Sequence, residues 1–294
     1  MSTMKVIKIE PHSYCQGVVR AFLIAKKAKE RFPSKPIYLL GSLVHNEAAI
    51  KTLLDEGFII LDERDGDLKD ALEKVPSGSV VIFSAHGHPE SYSRIASEKG
   101  LLALDASCQK VKENLERIKS YLSLGREIVY LGEKGHLEAK AALSFGDKVH
   151  FLDAKDLESF DFASLKDLAP VLITQTTLSD EEVNIGSAFL LSKVPSAFTI
   201  DTRCDSTKKR QLAIISVGIE ADLFVILGSL TSNNTMELVH LARSSHPEAR
   251  IIRALDLAEL KKFDLHKNHV AALSSGASTS PETYNECLEY LERY

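Results

Sequence analysis

The 294-residue sequence has little of the features that would place it in several special classes of protein. Only four cysteines are present, too few for the disulfide framework of a small secreted domain. Lysine and arginine number 36 against 41 aspartate and glutamate residues, and the two signs are mixed along the chain. This balance favours neither nucleic acid nor an anionic membrane as a partner, so we expect neither.

Segments that would direct the chain into a membrane are also lacking. The first ten residues contain no apolar signal core. The most apolar long stretch, 211–228, is interrupted by Glu220 and Asp222 and is too charged to span a bilayer. No glycine- or proline-rich linker divides the chain, and 44% of its residues are apolar. We expect a cytoplasmic protein with a substantial core and tightly packed parts.

Three of the four cysteines follow the same kind of segment. Cys15, Cys108 and Cys204 end "VIKIEPHSYC", "LLALDASC" and "AFTIDTRC", each a short β-rich run followed by an acidic residue. The intervals are 108−15 = 93 and 204−108 = 96 residues. Such regular spacing predicts an internal threefold repeat. Cys287 has no counterpart in the other repeats and lies on an amphipathic pattern, so we expect it to be structural.

Each cysteine is followed by the same order of elements. A helix pattern comes first, then a strand ending in Leu-Gly, a helix, a strand ending in aspartate, a strand ending in small polar residues, and another helix. The spacing of Leu212, Ile215 and Ile219 predicts the buried face of the helix after Cys204. Alternating strands and helices predict parallel sheets. We therefore predict an α/β protein of three pseudo-equivalent domains, 15–107, 108–203 and 204–294, the third completed by the N-terminal strand in 1–14.

Functional groups of parallel sheets collect beyond the carboxyl ends of the strands, so three domains facing one axis would bring the three cysteines together. Three thiolates are too few for a closed zinc site, which takes four ligands. They suit an iron–sulfur cluster with one iron left open to a substrate oxygen. The alternative is three unrelated buried cysteines.

Polar residues at the other predicted strand ends form a second pattern. They are rich in hydrogen-bond donors, which suits an anion such as a phosphate or diphosphate. Glu138 is the only carboxylate among them and is a candidate proton donor. His88, by contrast, is expected to be exposed. The residues of this pattern are His45, His86, His136, Glu138, Thr176, Ser232, Asn234 and Ser278.

Short motifs spread over nearly the whole chain resemble the 4-hydroxy-3-methylbut-2-enyl diphosphate reductase family of isoprenoid biosynthesis. They are "YCQGVVRA", "LVHN", "FSAHG", "LDASC", "GHLE", "TQTTLS", "RQ" after Cys204, "GSLTSNN" and "SGAS". The resemblance implies a trefoil of three α/β domains around a 4Fe–4S cluster held by Cys15, Cys108 and Cys204. It also implies a ferredoxin- or flavodoxin-like electron donor, and isopentenyl and dimethylallyl diphosphates as products.

The resemblance further assigns roles to the polar residues. Glu138, Thr176 and His136 would be catalytic, with Glu138 and Thr176 passing protons to the departing hydroxyl group. The diphosphate would be bound by His45, His86, His136, Ser232, Asn233, Asn234 and Ser278.

Several neighbours of these residues depart from the family pattern. Ser13 and Tyr14 replace a Gly-Phe pair before the first cysteine, Gln109 replaces a proline after the second, and Asn233 replaces a serine. Gln16 replaces an alanine, Leu137 replaces a proline, and one extra residue follows Ser278. Neighbours of this kind tune a metal site. A paralogue acting on another phosphorylated substrate is therefore one alternative.

Two further alternatives belong to other classes of protein. A non-catalytic iron–sulfur protein would bind iron without turnover, and a redox-inert phosphate-binding enzyme would use the cysteines only for packing. The presence of Glu138 and Thr176 alongside all three cysteines favours the reductase, because neither alternative needs that set.

Overall fold

The computed structural model describes residues 4–62, 64–167, 169–266 and 269–294, so the first three residues of the predicted segment 1–14 lie outside it. These described residues form twelve strands. In chain order the strands are β1 (Lys5–Lys8), β2 (Ile37–Leu40), β3 (Ile59–Leu61), β4 (Val80–Phe83), β5 (Leu102–Asp105), β6 (Ile128–Gly132), β7 (Val149–Asp153), β8 (Val171–Thr174), β9 (Phe198–Ile200), β10 (Leu223–Leu227), β11 (Arg250–Ala254) and β12 (Val270–Ser275).

Eleven α-helices connect these strands within the described residues, and two short 3₁₀ turns lie at Leu157–Ser159 and Phe162–Ser164. None of the described helices has the length and apolar character that a bilayer-spanning segment needs. The helices are α1 (Gln16–Arg31), α2 (Glu47–Asp55), α3 (Leu68–Lys74), α4 (Glu90–Glu98), α5 (Gln109–Ser123), α6 (Leu137–Leu143), α7 (Asp180–Lys193), α8 (Asp205–Ile215), α9 (Asn233–Ser245), α10 (Leu257–Leu260) and α11 (Pro281–Arg293).

The strands form three four-stranded sheets with the orders β3-β2-β4-β5, β7-β6-β8-β9 and β11-β10-β12-β1. Every strand pair in them is parallel. In each sheet the strand that leads to a cysteine is at one edge, and the strand that ends in aspartate or Ala-Leu-Asp is at the other. The predicted α/β class with parallel sheets is therefore confirmed.

The first strand of the chain completes the sheet built from its last part. β1 pairs with β12 from Lys5 opposite Val270 to Lys8 opposite Leu273. The ladder continues one residue further, since the Ile9 amide donates to the Leu273 carbonyl at 2.9 Å. The expected pairing of the N-terminal strand with the third sheet is present.

Contacts between Cα atoms divide the chain into two compact units. Unit 1 comprises the described residues of Met1–Val19 together with Val44–Glu56 and Asp205–Tyr294, and it contains the sheet that includes β1. Unit 2 comprises Arg20–Leu43 and Gly57–Cys204 and contains the other two sheets. The three domain boundaries drawn from the repeat stay a prediction.

The core of unit 1 lies on both faces of β10. Leu223, Val225 and Leu227 point to one side and pack against β11, α10 and α11, whereas Phe224 and Ile226 point to the other. This alternation follows from the two-residue period of a strand. A strand covered on both faces is apolar throughout, as "LFVIL" is. Burial of each such side chain contributes about 1.5–3 kcal/mol.

Cys287 belongs to this core, as expected for a structural residue. Its side chain on α11 is fully buried and packs with residues of β10, β11 and β12. Burial, with a smaller contribution from the charges of Glu286 and Asp256, raises the pKa of its thiol to about 12. It therefore remains a neutral thiol at physiological pH.

Unit 2 repeats the same packing in its two sheets. In the first sheet, Val81 and Phe83 of β4 pack against α3 and α4. In the second sheet, Ile128 and Tyr130 of β6 point to the side of α5 and α6, and Val129 packs on the other side with α7. The strand ends that follow these cores carry the candidate functional residues.

The predicted face of α8 is wrong. Leu212 and Ile215 are 56% and 44% exposed, and Ile219, which lies beyond the helix, is also exposed. The buried residues of α8 are Thr207, Arg210, Gln211 and Ile214. The helix turns a largely polar face inward because Arg210 hydrogen-bonds to backbone carbonyl groups of the Cys15 loop.

Candidate active site

Cys15, Cys108 and Cys204 occupy equivalent positions between a strand and a helix. Each follows the edge strand of a sheet, β1, β5 or β9, and each directly precedes a helix, α1, α5 or α8. All three are half-buried, and none of the four cysteines, all of which lie in the described residues, forms a disulfide. The repeat inferred from the sequence is thus present in the placement of the thiols.

The backbone of each cysteine is fixed in the same way. The amide of Cys15 donates to the carbonyl of Ala277 at 3.0 Å. The amides of Cys108 and Cys204 donate to the carbonyls of Ala85 and Thr176, at 2.8 and 3.1 Å. Each acceptor lies in the loop after the neighbouring small-polar strand, β12, β4 or β8. Every cysteine is therefore hydrogen-bonded to a loop that holds candidate substrate-binding or catalytic residues.

The acidic residue before two of the cysteines has a local structural role. The Oδ1 atom of Asp105 accepts the amide of Ser107 at 2.8 Å, and Oδ1 of Asp201 accepts the amide of Arg203 at 3.1 Å. These are Asx turns, in which a carboxylate caps a backbone amide two residues further on. The acidic residue shared by these two cysteine motifs thus forms the turn that the chain makes at the strand end.

The loop before Cys15 is built differently. Ser13 has a φ of +59°, in the left-handed region that favours glycine. Its amide donates to Oγ of Ser275 at 2.6 Å, and its hydroxyl hydrogen-bonds to Nδ1 of His12 at 3.0 Å. These hydrogen bonds offset the backbone strain of Ser13, at a position where the family that this sequence resembles has glycine.

The three thiols make a donor set that fits an iron–sulfur cluster. Thiolates are the ligands of such clusters, and three of them leave one iron without a protein ligand. Each thiol is half-buried on a fixed backbone, which suits a bound group better than a core position such as that of Cys287. The described residues therefore fit the group that the sequence suggests.

Glu138 is the buried carboxyl group at the candidate catalytic position of unit 2. It lies in the first turn of α6, is 4% exposed, and accepts two hydrogen bonds from Thr176. The Thr176 hydroxyl donates to Oε1 at 2.6 Å, and the Thr176 amide donates to Oε2 at 3.0 Å. Tyr130 of β6 also hydrogen-bonds to this carboxyl group. The structure thus brings together two residues that the sequence analysis singled out, Glu138 on α6 and Thr176 after β8, and their catalytic roles stay a prediction.

Burial raises the pKa of Glu138 to about 7, although the hydrogen bonds from Thr176 and Tyr130 oppose the shift. An acid with a pKa near the working pH is present in both of its protonation states, which is what proton transfer requires. The geometry and the pKa suit Glu138 chemically to donating a proton.

His136 and His86 lie beside each other in unit 2. Their ring centroids are 5.7 Å apart, with the planes at 83°. His136 is the N-cap residue of α6, and its Nδ1 accepts the Glu138 amide at 3.2 Å. Since Nδ1 is the acceptor, Nε2 carries the proton and is a donor. The His136 ring thereby binds the backbone amide of Glu138 through Nδ1 and carries its proton on Nε2.

Unit 1 holds the other polar candidates at the N-terminus of α9. Ser232 is the N-cap residue and accepts the Thr235 amide at 3.3 Å. Asn233 and Asn234 are the first two helical residues. Oδ1 of Asn234 accepts the Ala277 amide at 3.0 Å, while its buried Nδ2 has no hydrogen-bond partner among the described residues. A helix N-terminus with a spare buried donor suits an anion.

Ser278 and His45 are also joined within unit 1. The Ser278 hydroxyl donates to the backbone carbonyl of His45 at 3.0 Å. Beside them, Gly228 and Gly276 pack against Thr235, where an added Cβ would lie 2.3 and 2.1 Å from its hydroxyl oxygen. Only glycine fits there, so the strand ends can approach α9 closely.

The sequence analysis gave no role to several residues that contact these loops, and it misjudged the exposure of one. Tyr130 gave no signal, because a tyrosine in a buried strand is typical of a core. Arg20 and Arg210 lie in the motifs "YCQGVVRA" and "RQ" but, like Asn114, were given no role there, although each of the three hydrogen-bonds to a cysteine loop. His88, expected to be exposed, is half-buried and stacks on Phe83 at 3.9 Å between ring centroids. Burial lowers the pKa of His88 despite the opposing charge of Asp105.

The fold is one that hosts many enzyme classes, and full-length similarity to named reductases identifies this chain as an oxidoreductase. A curated protein of Symbiobacterium thermophilum, named 4-hydroxy-3-methylbut-2-enyl diphosphate reductase, is 35% identical over 99% of this chain and 98% of its own. A Bacillus pumilus protein of the same name is 37% identical over 99% and 91%.

The family model described as LytB protein matches residues 6–292. The chain belongs to the LytB protein family. A solved structure of the E-1-hydroxy-2-methyl-but-2-enyl-4-diphosphate reductase of Plasmodium falciparum has a TM-score of 0.86 with it, at 27% identity and with 98% of this chain and 88% of the other covered. A second structure, titled as the terminal enzyme of the non-mevalonate pathway, has a TM-score of 0.68 at 24% identity, covers 98% of this chain and 100% of the other, and supports the fold.

Proposed function

We propose that this chain reduces 4-hydroxy-3-methylbut-2-enyl diphosphate to isopentenyl and dimethylallyl diphosphates. The allylic C–O bond breaks, two electrons and two protons enter, one C–H bond forms, and the oxygen leaves as water. Full-length similarity to reductases of that name supports the substrate. The observation within the chain that carries the proposal is the buried carboxyl group of Glu138, held by Thr176 and half-protonated near neutral pH.

The cysteines supply the second part of the proposal. Cys15, Cys108 and Cys204 would hold a 4Fe–4S cluster, which supplies one-electron reduction and a Lewis-acidic iron for a substrate oxygen. The electrons would come one at a time from a ferredoxin- or flavodoxin-like donor.

Glu138 and Thr176 would deliver the proton that turns the hydroxyl group into water. The short bond between the Thr176 hydroxyl and Oε1 links the two groups, so a proton lost by one can be replaced through the other. Tyr130 keeps the carboxyl group in place from the side of β6. General acid catalysis of this kind typically contributes about 10²–10⁴-fold to a rate.

Each unit holds candidate hydrogen-bond donors for the diphosphate. In unit 1 these are Ser232, Asn233, Asn234, Ser278 and His45, of which Asn234 has an unused buried N–H group. In unit 2 they are His86 and His136, and Nδ1 of His136 also accepts the Glu138 amide. Hydrogen-bond donors and a helix N-terminus suit a diphosphate that must enter and leave in each turnover.

The test is an anaerobic assay of reconstituted protein with a reduced dye and the proposed substrate, following dye oxidation and products. We expect both five-carbon diphosphates from the native protein and a loss of about 10²–10⁴-fold in the Glu138→Gln variant. Full iron and sulfide loading without turnover would refute the substrate and point to a paralogue, for which Asn233 is the first residue to compare. A protein that binds no iron would refute the cluster as well.

A further inference from the structure

The carbonyl groups before Cys15 are bound by a buried arginine from α8. Arg210 is 2% exposed, and its guanidinium group donates to the carbonyls of Pro11 and Ser13 at 2.6 and 2.8 Å. Buried carbonyl groups need hydrogen-bond donors, and a charged donor makes the stronger bond. The polar face of α8 is therefore directed at the loop that carries Cys15.

The loop before Cys108 is bound in the same manner. Arg20 of α1 donates to the carbonyl of Ser107 at 2.7 Å and, more weakly, to that of Asp105 at 3.5 Å. These acceptors are one and three residues before Cys108. As in the Cys15 loop, a guanidinium group from a helix holds the backbone just ahead of the thiol.

The loop before Cys204 uses a neutral donor. Asn114 of α5 is buried, and its Nδ2 donates to the carbonyls of Thr202 and Thr174, both at 3.3 Å. Arg203, next to Cys204, pairs with Asp201 at 2.9 Å and with Asp180. A positive charge is thus already part of this loop, and the helix contributes an amide.

The three donors occupy matching positions in the repeat. Arg20 is 20−15 = 5 residues after Cys15, and Asn114 and Arg210 are 114−108 = 6 and 210−204 = 6 residues after their cysteines. Each lies on the helix that one cysteine begins, and each binds the loop of a different cysteine. Contacts of one kind, from a side-chain donor to a carbonyl of a cysteine loop, at matching places in the repeat indicate a shared role.

We propose that Arg20, Asn114 and Arg210 are positioning residues that fix the loops of Cys108, Cys204 and Cys15. Each loop is bound from two sides, by its donor ahead of the cysteine and by a carbonyl of a neighbouring loop at the cysteine amide. The direction of each thiol then depends on little more than one side-chain torsion. That these thiols are cluster ligands rests on the proposed function, whereas the loop contacts do not. Ligands held in this way are preorganised for metal binding.

The test is hydrogen–deuterium exchange of the full-length protein, followed by mass spectrometry of peptides covering 10–17, 104–111 and 200–207. The variants are Arg210→Met, Arg20→Met and Asn114→Ala. Each should accelerate exchange on the order of tenfold in one loop only, those of Cys15, Cys108 and Cys204 respectively, because each removes one or two hydrogen bonds. The hydrogen-bonded amide of the cysteine itself is the reporter in each loop.

Matched controls separate positioning from general destabilisation. Lys209→Met and Lys27→Met remove a charge from exposed positions of α8 and α1, and Ser120→Ala alters an exposed position of α5. These should leave all three loops unchanged. The peptide that contains the buried Cys287 reports global opening and should not change in any variant. Equal acceleration in all peptides, or none in the assigned loop, would refute the proposal.

Conservative variants keep the test decisive if a methionine variant does not fold. Arg210→Lys and Arg20→Lys retain one donor and should give intermediate acceleration in the same loops, and no acceleration would refute the assignment. In reconstituted protein, the Met variants should also release iron to a chelator faster than their controls. Loop-specific exchange without iron binding would refute the proposed function while leaving the positioning roles intact.

Discussion

At the scale of single residues, Glu138 makes stability depend on pH in a way that one substitution isolates. Its pKa is about 7 in the folded chain against 4.5 for an ordinary glutamate, so the folded state binds more protons between these values. The stabilisation is complete below pH 4.5 and is lost as the pH rises through 7. Glutamine does not titrate. The unfolding free energy of native protein should therefore fall relative to Glu138→Gln by about 2 kcal/mol between pH 5 and pH 8.

Urea unfolding of both proteins at the two pH values measures this difference. Only the change with pH is diagnostic, because the glutamine amide also alters the hydrogen bonds to Thr176 at every pH. Identical pH dependence in the two proteins would mean that Glu138 has an ordinary pKa. The same acid predicts that turnover declines as the pH rises through about 7, since the proton donor is then ionised.

Asn234 gives a residue-scale prediction about the anion. Aspartate has the same shape and can still accept the Ala277 amide, but it replaces the unused N–H group with a negative charge. We expect Asn234→Asp to weaken the binding of inorganic diphosphate by roughly 100-fold, because a donor becomes a repelling charge. Calorimetry with inorganic diphosphate measures the change. Ser245→Asp, which adds the same charge at the exposed last position of α9, is the matched control and should alter binding less than tenfold; equal binding by Asn234→Asp and the native protein would remove Asn234 from the site.

At the scale of elements, α8 shows what hydrophobic periodicity cannot find. The spacing of Leu212 and Ile215 indicated a buried face, yet the buried face is the one with Arg210 and Gln211. Periodicity counts apolar side chains, and it contains no information about carbonyl groups elsewhere in the chain that need donors. The helices after Cys15 and Cys108 do bury apolar residues at helical spacing, among them Val18, Ala25, Val111 and Ile118.

The inverted face of α8 predicts an unusual pattern of mutational sensitivity. Leu212→Gln should change the free energy of unfolding by less than about 0.5 kcal/mol, since the side chain is 56% exposed. Ile214→Ala should cost about 2–4 kcal/mol, because it leaves a cavity against Phe224 and Leu238. Urea unfolding distinguishes the two variants. A larger loss from Leu212→Gln than from Ile214→Ala would contradict the orientation of the helix.

The site was predictable in part for a related reason. Residues at strand ends could be found from the sequence, because the carboxyl ends of parallel strands are where loops carry function. The pairing of Glu138 with Thr176 follows from β6 and β8 being neighbours in one sheet. The roles of Tyr130 and of the three donors to the cysteine loops could not be predicted, although two of these donors lie in quoted motifs, since the roles depend on which helix face or strand face turns toward which loop.

At the scale of the whole molecule, one strand order recurs in all three sheets. The third sheet has this order although it takes one strand, β1, from the start of the chain and three strands from its last part. The sequence could predict this closure because the third repeat lacks a last strand and the N-terminal strand lacks a repeat of its own. Right-handed parallel connections leave few other ways to complete a sheet of this kind. The N-terminal segment is therefore part of the fold, and its contribution to stability is measurable.

Ile9 is the residue through which that contribution is best measured. It follows β1, is 4% exposed, and packs with Phe224 and Ile226 of the central strand β10. We expect Ile9→Ala to lower the free energy of unfolding by about 2–4 kcal/mol, since it removes buried methylene groups from a core that cannot fully collapse. Lys5→Ala, at an exposed position of the same strand, is the matched control and should cost less than about 0.5 kcal/mol. Equal, small losses in both variants would mean that the first strand adds a ladder of hydrogen bonds to the sheet but little to its core.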